Sequence, residues 1–251
     1  MHMKKILKTA VLALLIIGCK EAKKENTPAV EEMDETAEMA SDNEWTSLFD
    51  GESFSGWHEY LKDNVTDNWK IEDGATVLYP PENHENGEQS NLVSDNTYTD
   101  FVLSMDWKIS EGGNSGVMWG VKEIDSLGQP YLTGPEVQVL DNEGHPDGKN
   151  GTSHQSGALY DMVSPTEDVT KPVGEWNTMV ITVNHKTNEG NVVLNGVKVV
   201  DFPVNDPEWG EMVSKSKFAN WEQFGKYPTG KIALQDHGNG VAFKNIKIKE
   251  L

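Results

Sequence analysis

The chain has 251 residues, enough for one large all-β domain or for two small domains. Its 41 acidic and 21 basic residues give a formal net charge of −20, which excludes nucleic acid and, apart from a lipid anchor, anionic membrane surfaces as partners. All the basic residues are lysines and there is one cysteine, so the chain has no guanidinium to clamp anions and no internal disulfide. Neutral ligands such as sugars suit this composition.

The N-terminus has the pattern of an export signal. Lys4 and Lys5 precede an apolar run over residues 6–17 that is broken only by Lys8 and Thr9, and Gly18-Cys19 follows it. The run is too short for a membrane-spanning helix, and it resembles a bacterial lipoprotein signal in which residues 1–18 are removed and Cys19 is lipidated. We therefore expect a protein that is held at the bacterial cell envelope by Cys19, facing either the periplasm or the cell surface.

Residues 19–43 are rich in Glu, Lys and Ala and contain no aromatic residue, which predicts a disordered acidic tether. Aromatic residues begin at Trp45. The predicted folded domain therefore covers residues 44–251.

This domain reads as short strands separated by glycine turns. Residues 101–109 alternate strictly between apolar and polar types, as in a strand with one buried face. Further strands are predicted at 68–79 (two, around Asp73-Gly74), 117–121, 135–141, 176–184, 192–200 (a hairpin on Asn195-Gly196), and 231–237 with 241–248 (a last hairpin). The one predicted helix is 207–218. We expect an all-β, concanavalin-like or glucanase-like jelly-roll sandwich with one short helix, a shape shared by lectins and glycan-processing enzymes.

Two predicted strands carry paired polar residues. Alternation places Glu136 and Gln138 together on one face of strand 135–141, and Gln235 and His237 together on one face of strand 231–237. The simpler interpretation is a solvated sheet face with a histidine near a turn. As a site, a carboxylate and a histidine could exchange protons near neutral pH.

An ordinary glycosidase needs two carboxyl groups that flank the scissile bond. Jelly-roll glucanases place them at alternating positions of one strand, which here read Glu136, Gln138 and Leu140. Asp141 should face the other way unless a bulge turns it. The sequence therefore disfavours a two-carboxylate glucanase.

Other polar and aromatic residues each allow a functional and a structural interpretation. Trp57 and Trp119 could be platforms on which a sugar stacks, although core packing is the commoner use of an indole. The loop from Asp141 to Asp147, together with His154, contains metal-ligand types, but their spacing matches no metal motif and favours a solvated loop. The sequence thus leaves a divalent cation open as a cofactor and assigns no ligand residues to it.

A series of short motifs, in order, resembles one bacterial family. They are Trp45-x-x-Leu48-Phe49-Asp50-Gly51, Gly56-Trp57, Gly113-Asn114-Ser115-Gly116, Glu136-Val137-Gln138-Val139-Leu140-Asp141-Asn142, Gly157-Ala158-Leu159-Tyr160-Asp161, Gly174-Glu175-Trp176-Asn177, Leu194-Asn195-Gly196, Leu234-Gln235-Asp236-His237-Gly238 and Phe243-Lys244-Asn245-Ile246-Lys247-Ile248. The family is the 3-keto-disaccharide hydrolases, and the resemblance spans residues 44–251. One departure is the absence of arginine, which relatives often carry at the position of Lys244 and near Trp119.

The resemblance implies cleavage of 3-keto-glycosides. A ketone at C3 acidifies the C2 hydrogen, so that one base, one oxyanion stabiliser and one proton suffice for elimination of the C1 substituent, followed by hydration. The resemblance implies Glu136, His237 and Asp161 as catalytic residues, without distributing roles among them. Gln138, Gln235, Asn114, Trp57 and Trp119 are the predicted substrate contacts, the two tryptophans as stacking platforms. The alternatives are a non-catalytic glycan-binding module and a structural envelope lipoprotein.

Overall fold

The computed structural model describes residues 44–80 and 89–251. Every strand in these ranges pairs antiparallel with its neighbours. In chain order the strands are β1 (Thr46–Ser47), β2 (Trp57–Glu59), β3 (Trp69–Glu72), β4 (Ala75–Leu78), β5 (Leu92–Ser94), β6 (Phe101–Ile109), β7 (Asn114–Val121), β8 (Glu136–Leu140), β9 (Asn177–Asn184), β10 (Glu189–Leu194), β11 (Val197–Phe202), β12 (Lys231–Leu234) and β13 (Val241–Glu250).

The strands form two sheets that enclose the core, as predicted for a jelly-roll sandwich. The eight-stranded sheet has the order β11-β10-β9-β6-β13-β4-β3, with β1 also paired to β13. The five-stranded sheet has the order β2-β5-β12-β7-β8. Large apolar side chains of both inner faces, such as Trp107, Phe243, Val137 and Leu234, are almost completely buried in one cluster.

Most predicted strands lie within a few residues of their observed positions, and the alternating strand 101–109 coincides with β6. The predicted last hairpin is wrong. β12 belongs to the five-stranded sheet and β13 to the eight-stranded sheet, so Gly238–Gly240 carries the chain from one layer of the sandwich to the other. Alternation alone cannot distinguish these arrangements, because both strands have one buried face in either case.

The helix is also shorter than predicted. α1 spans Glu208–Ser214, and the Ser216 hydroxyl then donates to the Val213 carbonyl and accepts the backbone N–H of Phe218. Such local side-chain bonds compete with helical ones, and they end the helix here. Residues 215–225 continue as turns whose aromatic side chains lie beside Glu136 of the five-stranded sheet.

Residues 1–18, Cys19 and the predicted tether at 19–43 lie outside the described residues. Within the described ranges, no helix is long and apolar enough to cross a membrane.

Candidate active site

The floor of the candidate site is the outer face of the five-stranded sheet, at β7, β8 and β12. Val137 and Val139 of β8 point into the core, which leaves Glu136 and Gln138 on the opposite face. The backbone N–H of Gln235 donates to the Gly116 carbonyl of β7 at 2.9 Å, which places the Gln235 side chain on the same face as Glu136.

Gly116 is required for the position of Glu136. A Cβ atom added at Gly116 would overlap the side-chain carboxyl of Glu136, which lies against the bare backbone of β7. The Gly113-Asn114-Ser115-Gly116 motif therefore does more than form a turn, since its last glycine makes room for a buried carboxyl group.

Two amides surround this carboxyl group. The Gln235 Nε2 donates to Glu136 Oε2 at 3.3 Å. The Gln138 amide has two orientations: one donates to the His154 carbonyl at 3.3 Å, and the other donates to Ser115 O at 2.9 Å and Glu136 Oε1 at 3.0 Å. The second orientation is favoured because it makes two shorter hydrogen bonds, one of them to a carboxyl oxygen.

Glu136 is a buried acid with an unusual ionisation. Burial raises the pKa of its carboxyl group to about 8, against an ordinary value of 4.5. The nearby Asp147 carboxylate raises the pKa further, whereas the Lys217 ammonium and the Gln235 hydrogen bond lower it. At pH 7 most Glu136 side chains are protonated, and once ionised Glu136 is a stronger base than an exposed carboxylate.

Glu136 lies in a cavity of about 290 Å³. The residues that line it are Gln89, Asn114, Tyr131, Gly134, Glu136, Gln138, Tyr160, Lys217, Phe218, Trp221, Phe224, Gln235 and His237. Among these described residues, Glu136 is the only one with a carboxyl group. The described lining thus combines one acid, several amides and an aromatic wall, a composition suited to a neutral polar ligand.

Aromatic residues after α1 form one wall of the cavity. The rings of Phe218 and Phe224 stack with centroids 3.9 Å apart, and Trp221 packs edge-on to Phe218 at 5.0 Å. Tyr131 lies 6.0 Å from Trp221 between the ring centroids. Trp221 stays partly exposed, so its indole can offer a flat face to a sugar ring.

His237 lies at the exposed rim of the cavity, with its ring 5.9 Å from that of His145 and perpendicular to it. Desolvation by the surrounding rim and the charge of His145 lower the pKa of His237. Its imidazole is therefore neutral near pH 7, a form that can donate or accept a hydrogen bond.

A closed network of five residues borders the cavity. The Asp147 carboxylate contacts His154 Nδ1 at 2.8 Å and accepts the Tyr160 hydroxyl at 2.8 Å, while His154 Nε2 contacts Asp161 Oδ1 at 3.1 Å. The other Asp161 oxygen accepts the backbone N–H of Lys217 at 2.6 Å, and Lys217 Nζ lies 4.1 Å from the centre of the Tyr160 ring.

The structure brings together most of the residues predicted for the site. Glu136 and Gln138, together with Gln235 and His237, line the cavity from one face of the five-stranded sheet, and Asn114 lines it with them. Asn114 Oδ1 and Gln235 Oε1 are buried and have no hydrogen-bond partner among the described residues. Such unpaired polar atoms beside a cavity indicate contacts that a ligand would complete.

Three predicted site residues lie elsewhere. Trp57 is buried in the core and donates its indole N–H to the Leu48 carbonyl. Trp119 points inward from β7 and stacks on Phe202, with centroids 5.6 Å apart. Neither indole can receive a sugar in this cavity, which corrects their prediction as substrate contacts. Asp161 does not line the cavity either, and its carboxylate hydrogen-bonds to His154 and to the Lys217 backbone at the border of the site.

The sequence interpretation missed Lys217, Tyr131, Tyr160 and the aromatic wall. Phe218, Trp221 and Phe224 are spaced three residues apart, but Trp221 and Phe224 lie beyond the predicted helix 207–218, in a stretch to which no element was assigned. Tyr160 appeared only as part of a family motif. The loop after Asp141 is also more ordered than a solvated loop, because Asp141 accepts the backbone N–H groups of Gly112, Glu143 and Gly144.

No group of three or more His, Cys, Asp or Glu side chains in the described ranges is arranged to hold a metal ion. The divalent cation considered from the sequence therefore has no assigned ligands.

Comparison with known proteins gives a consistent assignment. The sequence profile of the 3-keto-alpha-glucoside-1,2-lyase-like domain matches residues 44–249. A 3-keto-disaccharide hydrolase of Bacteroides thetaiotaomicron is 35% identical over 244 residues, which cover 88% of this chain and 83% of that protein.

Two crystal structures of proteins from Parabacteroides distasonis, both proposed to be glycosyl hydrolases, have similar folds. The first is 32% identical with a TM-score of 0.74, covering 82% of this chain and 94% of the other. The second is 26% identical with a TM-score of 0.63, covering 83% of this chain and 100% of the other.

Proposed function

Because the chain belongs to the family of 3-keto-alpha-glucoside-1,2-lyase-like domains and is an enzyme of the glycoside hydrolase class, we propose that it cleaves 3-keto-glycosides by elimination from C2 and C1. The observation that carries this proposal is the single carboxyl group in the cavity. Glu136 has no acidic partner among the described lining residues, so the flanking pair of an ordinary glycosidase is absent from them.

Glu136 has the properties of the base that this reaction needs. The hydrogen on C2 is weakly acidic even beside a ketone, and a carboxylate with a pKa of about 8 accepts it more readily than one with a pKa of 4.5. The amides of Gln138 and Gln235 donate to the ionised form and hold it in one orientation. The C2–H bond breaks, Glu136 takes the proton, and the electron pair forms an enolate with the C3 oxygen.

Lys217 and His237 are the candidates to complete the reaction. The Lys217 ammonium is the cation among the described lining residues, and it can stabilise the negative charge on the C3 oxygen. The enolate then expels the C1 oxygen, forming a C1–C2 double bond. The proton that Glu136 removed is available for this oxygen, directly or through the neutral His237 imidazole at the rim.

Hydration completes the net hydrolysis. Water adds its hydroxyl group to C1 and a proton to C2 of the enone, which gives the free 3-keto sugar. Asn114 and Gln235 have unpaired amide oxygens that can accept hydrogen bonds from sugar hydroxyls, and Trp221 can stack on the ring. A glycan-binding module would use similar contacts, but membership of this enzyme family favours catalysis.

We also propose that Cys19 is lipidated and holds the enzyme at the bacterial envelope. This rests on the apolar run at residues 6–17 and the cysteine after it. The proposal concerns location only and is independent of the chemistry in the cavity.

The test of the proposed reaction offers the purified protein a 3-keto-glucoside and the parent glucoside in heavy water. We expect turnover of the 3-keto compound alone, with solvent deuterium at C2 of the product. Comparable cleavage of the parent glucoside, or a product without deuterium at C2, would contradict elimination. Binding of both compounds without turnover of either would favour a binding module.

A further inference from the structure

The network of Asp147, His154, Asp161, Tyr160 and Lys217, here called the Lys217 network, borders the site without contributing a carboxyl group to the cavity. We propose that its four other members are positioning residues that hold the Lys217 ammonium against the substrate and Glu136. This inference deepens the proposed function, since it assigns a role to residues that do not touch the reacting atoms.

The hydrogen bonds in the network restrict the orientation of the His154 ring. Both His154 ring nitrogens face carboxylate oxygens, at 2.8 Å to Asp147 and 3.1 Å to Asp161. The His154 ring is therefore held between Asp147 and Asp161, which fixes its orientation and joins the two aspartates.

Both carboxylate oxygens of Asp161 have hydrogen-bond partners. One of its oxygens contacts His154 and the other accepts the Lys217 backbone N–H, with a left-handed backbone (φ 59°) that is uncommon for a residue other than glycine. Asp161 thereby joins the 157–163 segment to residues 215–225, which carry the aromatic wall. Its contact with the Lys217 backbone fixes where the lysine side chain begins.

Tyr160 holds the other end of the Lys217 side chain. The ammonium lies 4.1 Å from the centre of the Tyr160 ring, a cation–π distance, and the ring is held by its hydroxyl on Asp147 and by edge contact with His154. Burial and the hydrogen bond to Asp147 raise the pKa of Tyr160, so its hydroxyl keeps its proton and donates. Lys217 is otherwise exposed, and a free lysine side chain would sample many rotamers.

The charged and titratable groups facing Glu136 come from several elements. They are Lys217, Tyr160 and Asp147 from the network, His237 from the segment after β12, and Tyr131 from the turn before β8. Lys217 and Asp147 act on Glu136 with opposite signs. Displacement of the Lys217 ammonium should therefore raise the pKa of Glu136, so that Glu136 ionises only at a higher pH.

The experiment follows the Glu136 side chain directly, by NMR titration of the full-length protein with ¹³C-labelled glutamate, assigned by Glu136→Gln. We expect Lys217→Met and Asp161→Asn each to move the Glu136 midpoint to higher pH. Tyr160→Phe, which keeps the ring face beneath Lys217 but loses the bond to Asp147, should move it less. Asp168→Asn is the control, because Asp168 is likewise hydrogen-bonded in a loop but has no contact with the network.

A double-variant cycle then separates positioning from a general structural effect. If Asp161 acts through Lys217, Asp161→Asn should shift the midpoint in the wild-type protein and add almost nothing in the Lys217→Met background. Additive shifts, or an unchanged midpoint in Asp161→Asn beside a shifted one in Lys217→Met, would overturn the inference. Neither readout requires turnover, so failure of the proposed reaction would be seen separately.

Discussion

The side-chain carboxyl of Glu136 occupies the space that a Cβ atom at Gly116 would need, so a glycine on β7 determines the position of an acid on β8. Gly116 has no unusual backbone angle, and alanine can therefore be placed there without backbone strain. The effect of such a substitution should fall on the site.

We expect Gly116→Ala to leave the protein folded and to lower kcat/KM by about 100-fold, because a displacement of about 1 Å of a catalytic group has an effect of that order. Steady-state kinetics with a 3-keto-glucoside would measure the loss, and thermal unfolding would report the fold. Gly128→Ala is the matched control, since a Cβ there meets no atom within 4 Å. Equal activity of the two variants would mean that Glu136 needs no fixed position.

The pH dependence should follow Glu136. A base must be ionised, and the pKa of Glu136 is raised to about 8, so kcat/KM should rise with pH and level off above about pH 8. An ordinary carboxylate base with a pKa near 4.5 would give a flat profile from pH 6 to pH 9. A rate profile over this range distinguishes the two cases.

The raised pKa of Glu136 also makes the stability of the fold depend on pH. The unfolded Glu136 loses its proton near pH 4.5 and the folded one only near pH 8, so the unfolded state binds fewer protons between these values and stability falls as pH rises. Glu136→Gln removes this penalty. We expect the variant to lose turnover and to be more stable than wild type at pH 8, by on the order of a few kcal/mol, but not at pH 4. Chemical denaturation at both pH values measures this, and a pH-independent difference would contradict it.

Trp221 and Trp119 should differ in role, the first in substrate binding and the second in stability. Trp221 lines the cavity and stays partly exposed, so Trp221→Ala should raise KM roughly fivefold by losing about 1 kcal/mol of stacking, with a small effect on the free energy of unfolding. Trp119 is buried against Phe202, so Trp119→Ala should instead reduce stability by about 3–5 kcal/mol. Kinetics and denaturation of both variants would show whether these assignments are reversed.

The location proposal is tested by Cys19→Ser. Lipidation at this residue predicts that the wild-type protein fractionates with membranes and that the variant is released into the soluble fraction. Mass spectrometry of the wild-type N-terminus would identify the acyl chains. Unchanged membrane partition of the variant would contradict the anchor.

The sequence by itself determined the strands, the sandwich and the polar face of β8, because an alternation with period two survives wherever one face is buried. It also supplied the family, through ordered motifs such as Gly113–Gly116 that the profile match bears out. The shared face of Glu136 and Gln138 could be predicted because alternation gives each residue of β8 a face. Gln235 and His237 follow β12, which ends at Leu234 in the same sheet, and they line the cavity beyond the strand end.

Only the tertiary structure decided which residues join that set from loops. Lys217 and Trp221 lie far from β8 in sequence, and their side chains reach the cavity from the turns that follow the end of α1 at Ser214. The inward direction of Trp57 and Trp119 likewise depends on which sheet face meets the core. No local periodicity encodes these long-range contacts, since they depend on packing between segments that are distant in the chain.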